Sequence, residues 1–282
     1  MSVFSRLTNY SRPGSGKDDS EYPSFILFWR RFGRHFSKLL FSNLLCFLVA
    51  LPVIVWLCTI LNVLAAESNE GVVSLLSTLV LSVVMDWPQE LLIALVICSA
   101  ILLGPTFAAV SLCALDCAWD RAGLFWYRFR IAWKENFRQA LPVGIADIII
   151  CFSTVYYFVD GTAAFGEYNR FLLVLWLVLI LFYAFMHVYL FPIMVTVELP
   201  LGALVKNSLI LSLLKAWRPL VVIAVDIALA LLCLMADMIV LPCFFFSFTA
   251  YTAAFLTRPV IEKYLLQPEE EGEAENKGTM GG

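Results

Sequence analysis

Residues 125–158 read FWYRFRIAWKENFRQALPVGIADIIICFSTVYYF, and this stretch decides the fold. Its first part mixes aromatic and basic residues at helical spacing. On a wheel of about 100° per residue, Phe125, Trp126, Phe129, Trp133 and Phe137 share one side, while Arg130, Lys134 and Arg138 fall largely on the other. Its second part is apolar across 141–159, close to the roughly 20 residues a helix needs to cross a hydrocarbon core. Aromatic rings suit the boundary between water and lipid, and basic side chains suit anionic headgroups, so a surface helix here leads into a membrane span.

The same order recurs outward from this stretch. Phe25, Phe28, Trp29, Phe32 and Phe36 lie within an arc of about 100°, opposite Arg30, Arg31, Arg34 and Lys38, just before an apolar span at 39–64. Leu204–Trp217 is a weaker copy, because Lys206 intrudes into the face made by Leu209, Ile210, Leu213 and Trp217. Six spans fit in all: 39–64, 91–113, 141–159, 171–195, 219–237 and 240–257. The expected fold is therefore all-α, a polytopic membrane helical bundle of about six spans arranged as three hairpins, each preceded by a cytoplasmic interfacial amphipathic helix. An internal repeat is one reading of that order. Ile145-Ala-Asp147-Ile and Ile223-Ala-Val-Asp226-Ile follow Phe137-Arg138 and Trp217-Arg218, and Asn43 sits at a similar depth after Lys38.

Charge orients the bundle. Of the 19 Lys and Arg residues, all but Arg170 lie on one side of these spans. Basic flanks resist translocation, so that side is read as the cytoplasm, with both termini there. The connection 65–90 carries Glu67, Glu70, Asp86 and Glu90 without a Lys or Arg, and 160–170 carries Asp160 and Glu167; both read as outside. The apolar segment Val72–Met85 is short for a seventh span at about 21 Å, and inserting it would put the basic loop 118–140 outside. It is read as re-entrant or interfacial. A very short turn around Asp237–Pro242 makes the last two spans a tight hairpin or a broken helix.

Composition sets the solvent. The chain is 61% hydrophobic and 15% charged, with mean hydropathy +0.86. A soluble core of this size could not hide that much apolar surface, so the chain belongs in a cell membrane. A polar head at 1–23 and an acidic tail at 266–282, with Glu269, Glu270, Glu271, Glu273 and Glu275, flank a helical membrane domain at 24–265. Head and tail read as disordered, and the head has no apolar stretch for a signal peptidase, so the first span is retained as an anchor. Apart from the tail, the cytoplasmic face is basic and suits the anionic inner leaflet. No nucleic-acid partner is expected.

Two carboxylates stand out inside the spans. Asp147 lies six residues into the third span and Asp226 seven beyond Pro219 in the fifth, both roughly 10 Å below the cytoplasmic boundary. An Asp at a helix centre costs about 2.5–3.5 kcal/mol on insertion scales, so each should face the bundle interior, be protonated, or pair with a cation such as Arg138, Lys215 or Arg218. Asp147, Asp226 and His187 form a candidate intramembrane polar site; the plainer reading is two carboxyls and a histidine holding helices together through hydrogen bonds. Asp116, Glu198 and Asp237 lie near span ends, within reach of water. Prolines at Leu51-Pro52, Gly104-Pro105, Phe191-Pro192, Leu199-Pro200 and Leu241-Pro242 are potential helix breaks.

Catalytic signatures are absent: no phosphate-binding GxxxxGK[ST], no HExxH, no GxSxG. The eight cysteines lie in or beside apolar segments without a CxxC pair, and read as small packing residues. Neither an enzyme, a cofactor nor a metal is expected. On the lead-in helices, Arg130, Trp133, Lys134, Phe137 and Arg138 are the candidate cytoplasmic docking residues; simple anchoring to the membrane surface is the alternative.

Several segments, in order and spacing, resemble the YesL-like family of bacterial membrane proteins. They are Ser42-Asn-Leu-Leu-Cys-Phe-Leu-Val-Ala-Leu-Pro-Val-Ile, Gly104-Pro-Thr-Phe-Ala-Ala, Trp133-Lys-Glu-Asn-Phe-Arg-Gln-Ala140, Tyr189-Leu-Phe-Pro192 and Leu204-Val-Lys-Asn-Ser-Leu209. The resemblance runs from about 24 to 265. It implies a polytopic helical protein, often encoded beside ATP-driven carbohydrate importers and glycan-degrading enzymes, and it supplies no active-site residues. Asp116-Cys-Ala118, Gly123 and Leu141-Pro142 loosely echo the coupling helix of importer permeases, but the stretch from Gly to Leu-Pro is longer and the opening is not Glu-Ala-Ala. The expected function is thus a non-enzymatic accessory or regulatory component linked to a carbohydrate ABC importer. The alternative is a small-solute transporter or channel with Asp147 and Asp226 along its path.

Overall fold

In lipid an irregular backbone has no water to satisfy it, so apolar sequence at helical spacing has one economical answer, the helix. The computed structural model, which describes residues 12–13, 24–67, 88–157, 169–235 and 244–266, is all-α but for one two-residue antiparallel pairing. In that pairing β1 (Arg12–Pro13) meets β2 (Arg121–Ala122). The helices are α1 (Ser24–Arg34), α2 (Phe36–Glu67), α3 (Gln89–Ala118), α4 (Phe125–Glu135), α5 (Phe137–Tyr156), α6 (Asn169–Thr196), α7 (Leu201–Leu214), α8 (Trp217–Met235) and α9 (Phe246–Ile261). A π-helical turn, Glu262–Leu266, continues α9.

Four of these are long and apolar enough to cross a membrane: Phe36–Trp56, Glu90–Ala118, Phe137–Tyr156 and Phe171–Thr196. The pair α7 and α8, bent by 93° at its break, makes a fifth candidate if counted as one span. The first four expected spans thus coincide with long helices. The fifth falls in α8 and the sixth overlaps α9, each only partly within the described residues. Val72–Met85, the turn at 237–242 and the acidic tail lie outside the described residues.

The three lead-in segments form separate helices, each broken from the next by a local event. At Asn136 the backbone leaves the helical region, with φ −93° and ψ 0°, while its own N–H and its Nδ2 both donate to Ala132 O. At Lys215 the backbone leaves the helical region, with φ −125° and ψ 47°. Between α1 and α2 the turn runs through His35, whose carbonyl accepts from Lys38 N at 3.0 Å.

The expected prolines behave differently from helix breakers. Pro52, Pro105 and Pro192 sit inside unbroken helices. In apolar surroundings the remaining backbone bonds have no competing partner, so losing one does not end the helix. Pro200 instead stands at the N-cap of α7, and Pro242 lies outside the described residues.

α3 is the hub, touching α1, α2, α4, α5, α6 and α9. Its crossing with α5 is set by two glycines. A Cβ on Gly144 would stand 2.6 Å from the Gly104 backbone nitrogen, and one on Gly104 would run into the Ala140 carbonyl. Only residues without a Cβ let these backbones meet, the small-residue packing common in membrane bundles. The core gathers at one end. Ala108, Leu112, Leu115 and Ala118 of α3 are buried, as are Tyr189, Leu190 and Ile193 of α6, whereas Leu91, Ile93, Phe171 and Leu179 at the opposite ends are exposed.

Candidate functional site

The C-terminus of α3 collects polar groups that the sequence alone scatters over more than 200 positions. A helix C-terminus carries unsatisfied carbonyls and partial negative charge, and it attracts cations. Here Ala118 O accepts from Arg31 Nη1 at 2.6 Å and from Arg258 Nη1 at 3.2 Å. Asp120 follows with φ 53°, a left-handed position that Asp tolerates better than most residues. Its carboxylate meets His35 Nε2 at 2.7 Å and is paired with Arg34. Burial pulls the His35 pKa below its ordinary value, outweighing the upward pull of its bond to Asp120. Arg121 stacks its guanidinium 3.8 Å from the Trp119 ring centre, and burial also lowers its pKa.

One turn earlier in α3 lies an ion pair that corrects the sequence reading. Asp116, expected within reach of water, is buried, and so is Arg128 of α4. The contact is bidentate, with Nε to Oδ2 at 2.6 Å and Nη2 to Oδ1 at 2.5 Å. Breaking a buried pair of this kind by removing one partner costs about 3–5 kcal/mol, because a bare charge stays behind. The pair clamps α4 to α3. Nothing in the local spacing announces it, since the partners sit on different helices across a turn.

α4 consequently shows three faces. Arg128 and Ala132 point inward and are buried, while Phe129 and Trp133 pack half-buried against the core. Phe137, at the start of α5, sets its ring 5.1 Å from Trp133. Arg130, Lys134 and Arg138 are exposed. Trp126 departs from the expected aromatic side, being 63% exposed. In α1 part of the aromatic face is covered by protein, because Phe28 and Phe32 set their rings against Phe248 and Tyr251 of α9. In α7 the protein-facing residues are Leu204, Ser208, Leu211 and Ser212, and Ile210 and Leu213 point away, as does Trp217 at the start of α8.

The second polar cluster lies within the spans and brings all three expected residues together. Asp147 of α5 accepts from Tyr183 Oη at 2.5 Å and lies 3.2 Å from His187 Nε2, both on α6. Of the cations expected to reach Asp147 and Asp226, Arg218 donates Nη1 to Leu256 O at 2.9 Å and Arg138 is exposed. Asp226 of α8 lies within electrostatic reach of His187. The Thr249 hydroxyl lies within hydrogen-bonding reach of the Asp226 carboxylate and also of Phe245 O, at 2.9 Å from the latter. One Asp226 oxygen, Oδ1, is buried with no hydrogen-bond partner among the described residues.

His187 and Asp226 line a cavity of about 210 Å³ between α3, α6, α8 and α9. Much of its wall is aromatic. Phe107 lies 5.9 Å from both Phe191 and Phe246, Phe245 lies 5.3 Å from Phe246, and His187 meets Phe191 edge-on at 5.1 Å. Sequence reasoning found the carboxylates because charge in an apolar span is conspicuous. It missed the aromatic wall, because Phe is an ordinary residue in such a chain. A second cleft, of about 320 Å³, lies by Glu135, Gln139 and Glu198, where Gln139 Nε2 donates to Leu199 O at 2.6 Å.

Compared with protein family models, with curated proteins and with solved structures, the chain matches none of them.

Proposed function

We propose that the chain is a six-span protein of the bacterial cell membrane, of the YesL-like kind, built as three hairpins with both termini in the cytoplasm. On this reading α1, α4 and α7 lie along the inner membrane surface, and α8 and α9 belong to the fifth and sixth spans. The lopsided placement of Lys and Arg supports the orientation. The 93° turn from α7 into α8 suits a surface helix followed by a crossing one.

Its function, in the same proposal, is that of a non-enzymatic accessory or regulatory component of a carbohydrate ABC importer, docked through α4. One observation carries this. Arg130 and Lys134 stand exposed four residues apart on α4, which is held from behind by Arg128 and Trp133, and Arg138 stands exposed in the first turn of α5 just beyond the break at Asn136. A pre-organised basic row loses little entropy when an acidic partner meets it. Co-purification from mild detergent with the neighbouring permease tests it. Capture by the wild type and loss of capture with Arg130, Lys134 and Arg138 all changed to Gln is the expected result. Failure to capture, with the importer fully active in a deletion strain, contradicts it.

A second reading, a small-solute transporter or channel, is favoured by the Asp226 oxygen that has no hydrogen-bond partner among the described residues and lies beside an aromatic cavity. Solute flux into proteoliposomes that disappears in Asp226→Asn supports this reading, and flux indifferent to that change removes it.

A further inference from the structure

We propose that the cavity between α3, α6, α8 and α9 binds a small organic ammonium ion, held by the Asp226 carboxylate and the surrounding phenylalanine rings. The inference deepens the transporter reading of this cavity and rests on it, although binding is a separate observable from movement across the membrane.

The charges around the cavity do not balance among the described residues. The groups that face one another are Asp147 from α5, Tyr183 and His187 from α6, and Asp226 from α8. The neighbouring residues from α3 and α9, including Ser111 and Thr249, are uncharged. Even with His187 protonated and neutralising Asp147, one carboxylate remains without a cation among the described residues. Arg218, eight residues before Asp226 on α8, is turned to Leu256 O. A carboxylate in apolar surroundings requires a counter-charge or a proton, since leaving it ionised and bare is expensive. Thr249 can satisfy one side of the Asp226 carboxylate, and Oδ1 is buried with no hydrogen-bond partner among the described residues.

A metal ion needs several oxygen, nitrogen or sulfur ligands, and among the described residues no three His, Cys, Asp or Glu side chains are placed to supply them. The wall is instead made of Phe107, Phe191, Phe245 and Phe246. Ring faces attract cations, most effectively where water is excluded, and aromatic cages around an ammonium are the recurrent use of that attraction. Size agrees. A cavity of about 210 Å³ far exceeds the 10–15 Å³, on the order of one probe sphere, that a water needs, so a proton or bare ion would leave it mostly empty. An ammonium bearing alkyl groups satisfies both requirements, presenting charge to Asp226 and methyl or methylene groups to the rings. A proton on Asp226 removes the attracting charge, so proton and ammonium compete for one site.

The test is equilibrium binding of radiolabelled choline to the full-length protein in detergent or nanodiscs. 3,3-Dimethylbutan-1-ol, which has the same shape without the charge, serves as competitor. Saturable binding is expected, released by acid and not displaced by the uncharged alcohol. Asp226→Asn should weaken it roughly 30-fold or more, Phe246→Leu roughly threefold to tenfold, and Arg130→Gln not at all. The asparagine variant removes a bare charge and should remain monodisperse; Phe246→Leu provides an independent check. Absence of saturable choline binding, equal binding by Asp226→Asn, or full displacement by the alcohol would overturn the proposal. Choline binding without flux removes the transporter reading and leaves the site. Flux of another solute that depends on Asp226, without choline binding, overturns the ammonium assignment and leaves the transporter reading.

Discussion

The α3 C-terminus and the cavity beside Asp226 both hold carboxylates among apolar helices, and they treat them in opposite ways. At the first, Asp116 meets Arg128 through two hydrogen bonds and Asp120 meets Arg34 and His35. At the second, Asp226 keeps one oxygen without a hydrogen-bond partner among the described residues, next to open volume. A paired buried charge fixes geometry, whereas an unpaired one is a debt in stability that structure alone does not explain. The contrast divides the polar residues of this chain into those that hold it together and those available to a ligand.

The largest effect should come from breaking the paired side. Arg128→Ala leaves Asp116 buried and bare and should cost about 3–5 kcal/mol. The expected outcome is loss of the protein from membranes, or loss of a monodisperse peak in detergent. Normal levels and normal elution would mean that the α4 clamp is dispensable. Next in size is the helix crossing that positions both regions. Gly144→Ala forces a Cβ toward the Gly104 backbone, and overpacking of this kind costs about 1–3 kcal/mol. A thermal midpoint measured in detergent should fall. An unchanged midpoint would show that α3 and α5 can part at no cost.

The smallest effect expected is that of pH at the α1 junction. Burial lowers the His35 pKa below 6.5. A histidine held neutral in the fold contributes stability that is fully present above its unfolded pKa and lost as pH falls through its lowered folded value. Acidification should therefore loosen α1 from α3, read as faster proteolysis near Arg30 and Arg31, and His35→Gln should flatten that response. Proteolysis that slows on acidification would reverse the sign and show that the Asp120 bond outweighs burial.

How much of this was legible in the sequence depends on the range of the interaction. The lead-in helices were, because Phe125, Phe129, Lys134 and Arg138 carry a local period, and separate helices form at all three expected places. The apolar spans were legible in the same way, four of them as long helices. Convergence was not. That Asp147 and His187 would meet depends on which faces of α5 and α6 turn toward each other, and both faces are apolar over most of their length. Prolines misled for a related reason: the rule that Pro ends helices assumes water ready to take the freed carbonyl, and Pro105 and Pro192 lie where there is none. The basic residues divided in a way no charge count could foresee, with Arg128 and Arg258 spent on contacts inside the protein while Arg130 and Lys134 remain exposed.

Thermal unfolding of Asp116→Asn and Asp226→Asn, side by side in the same detergent, tests the division most directly. Both changes remove one carboxylate charge at nearly constant shape. Asp116→Asn strips Arg128 of its counter-charge, so its midpoint should fall sharply; Asp226→Asn relieves a bare charge, so its midpoint should hold or rise. A midpoint for Asp226→Asn that falls as far as that of Asp116→Asn would contradict the account, because both carboxylates would then be structural.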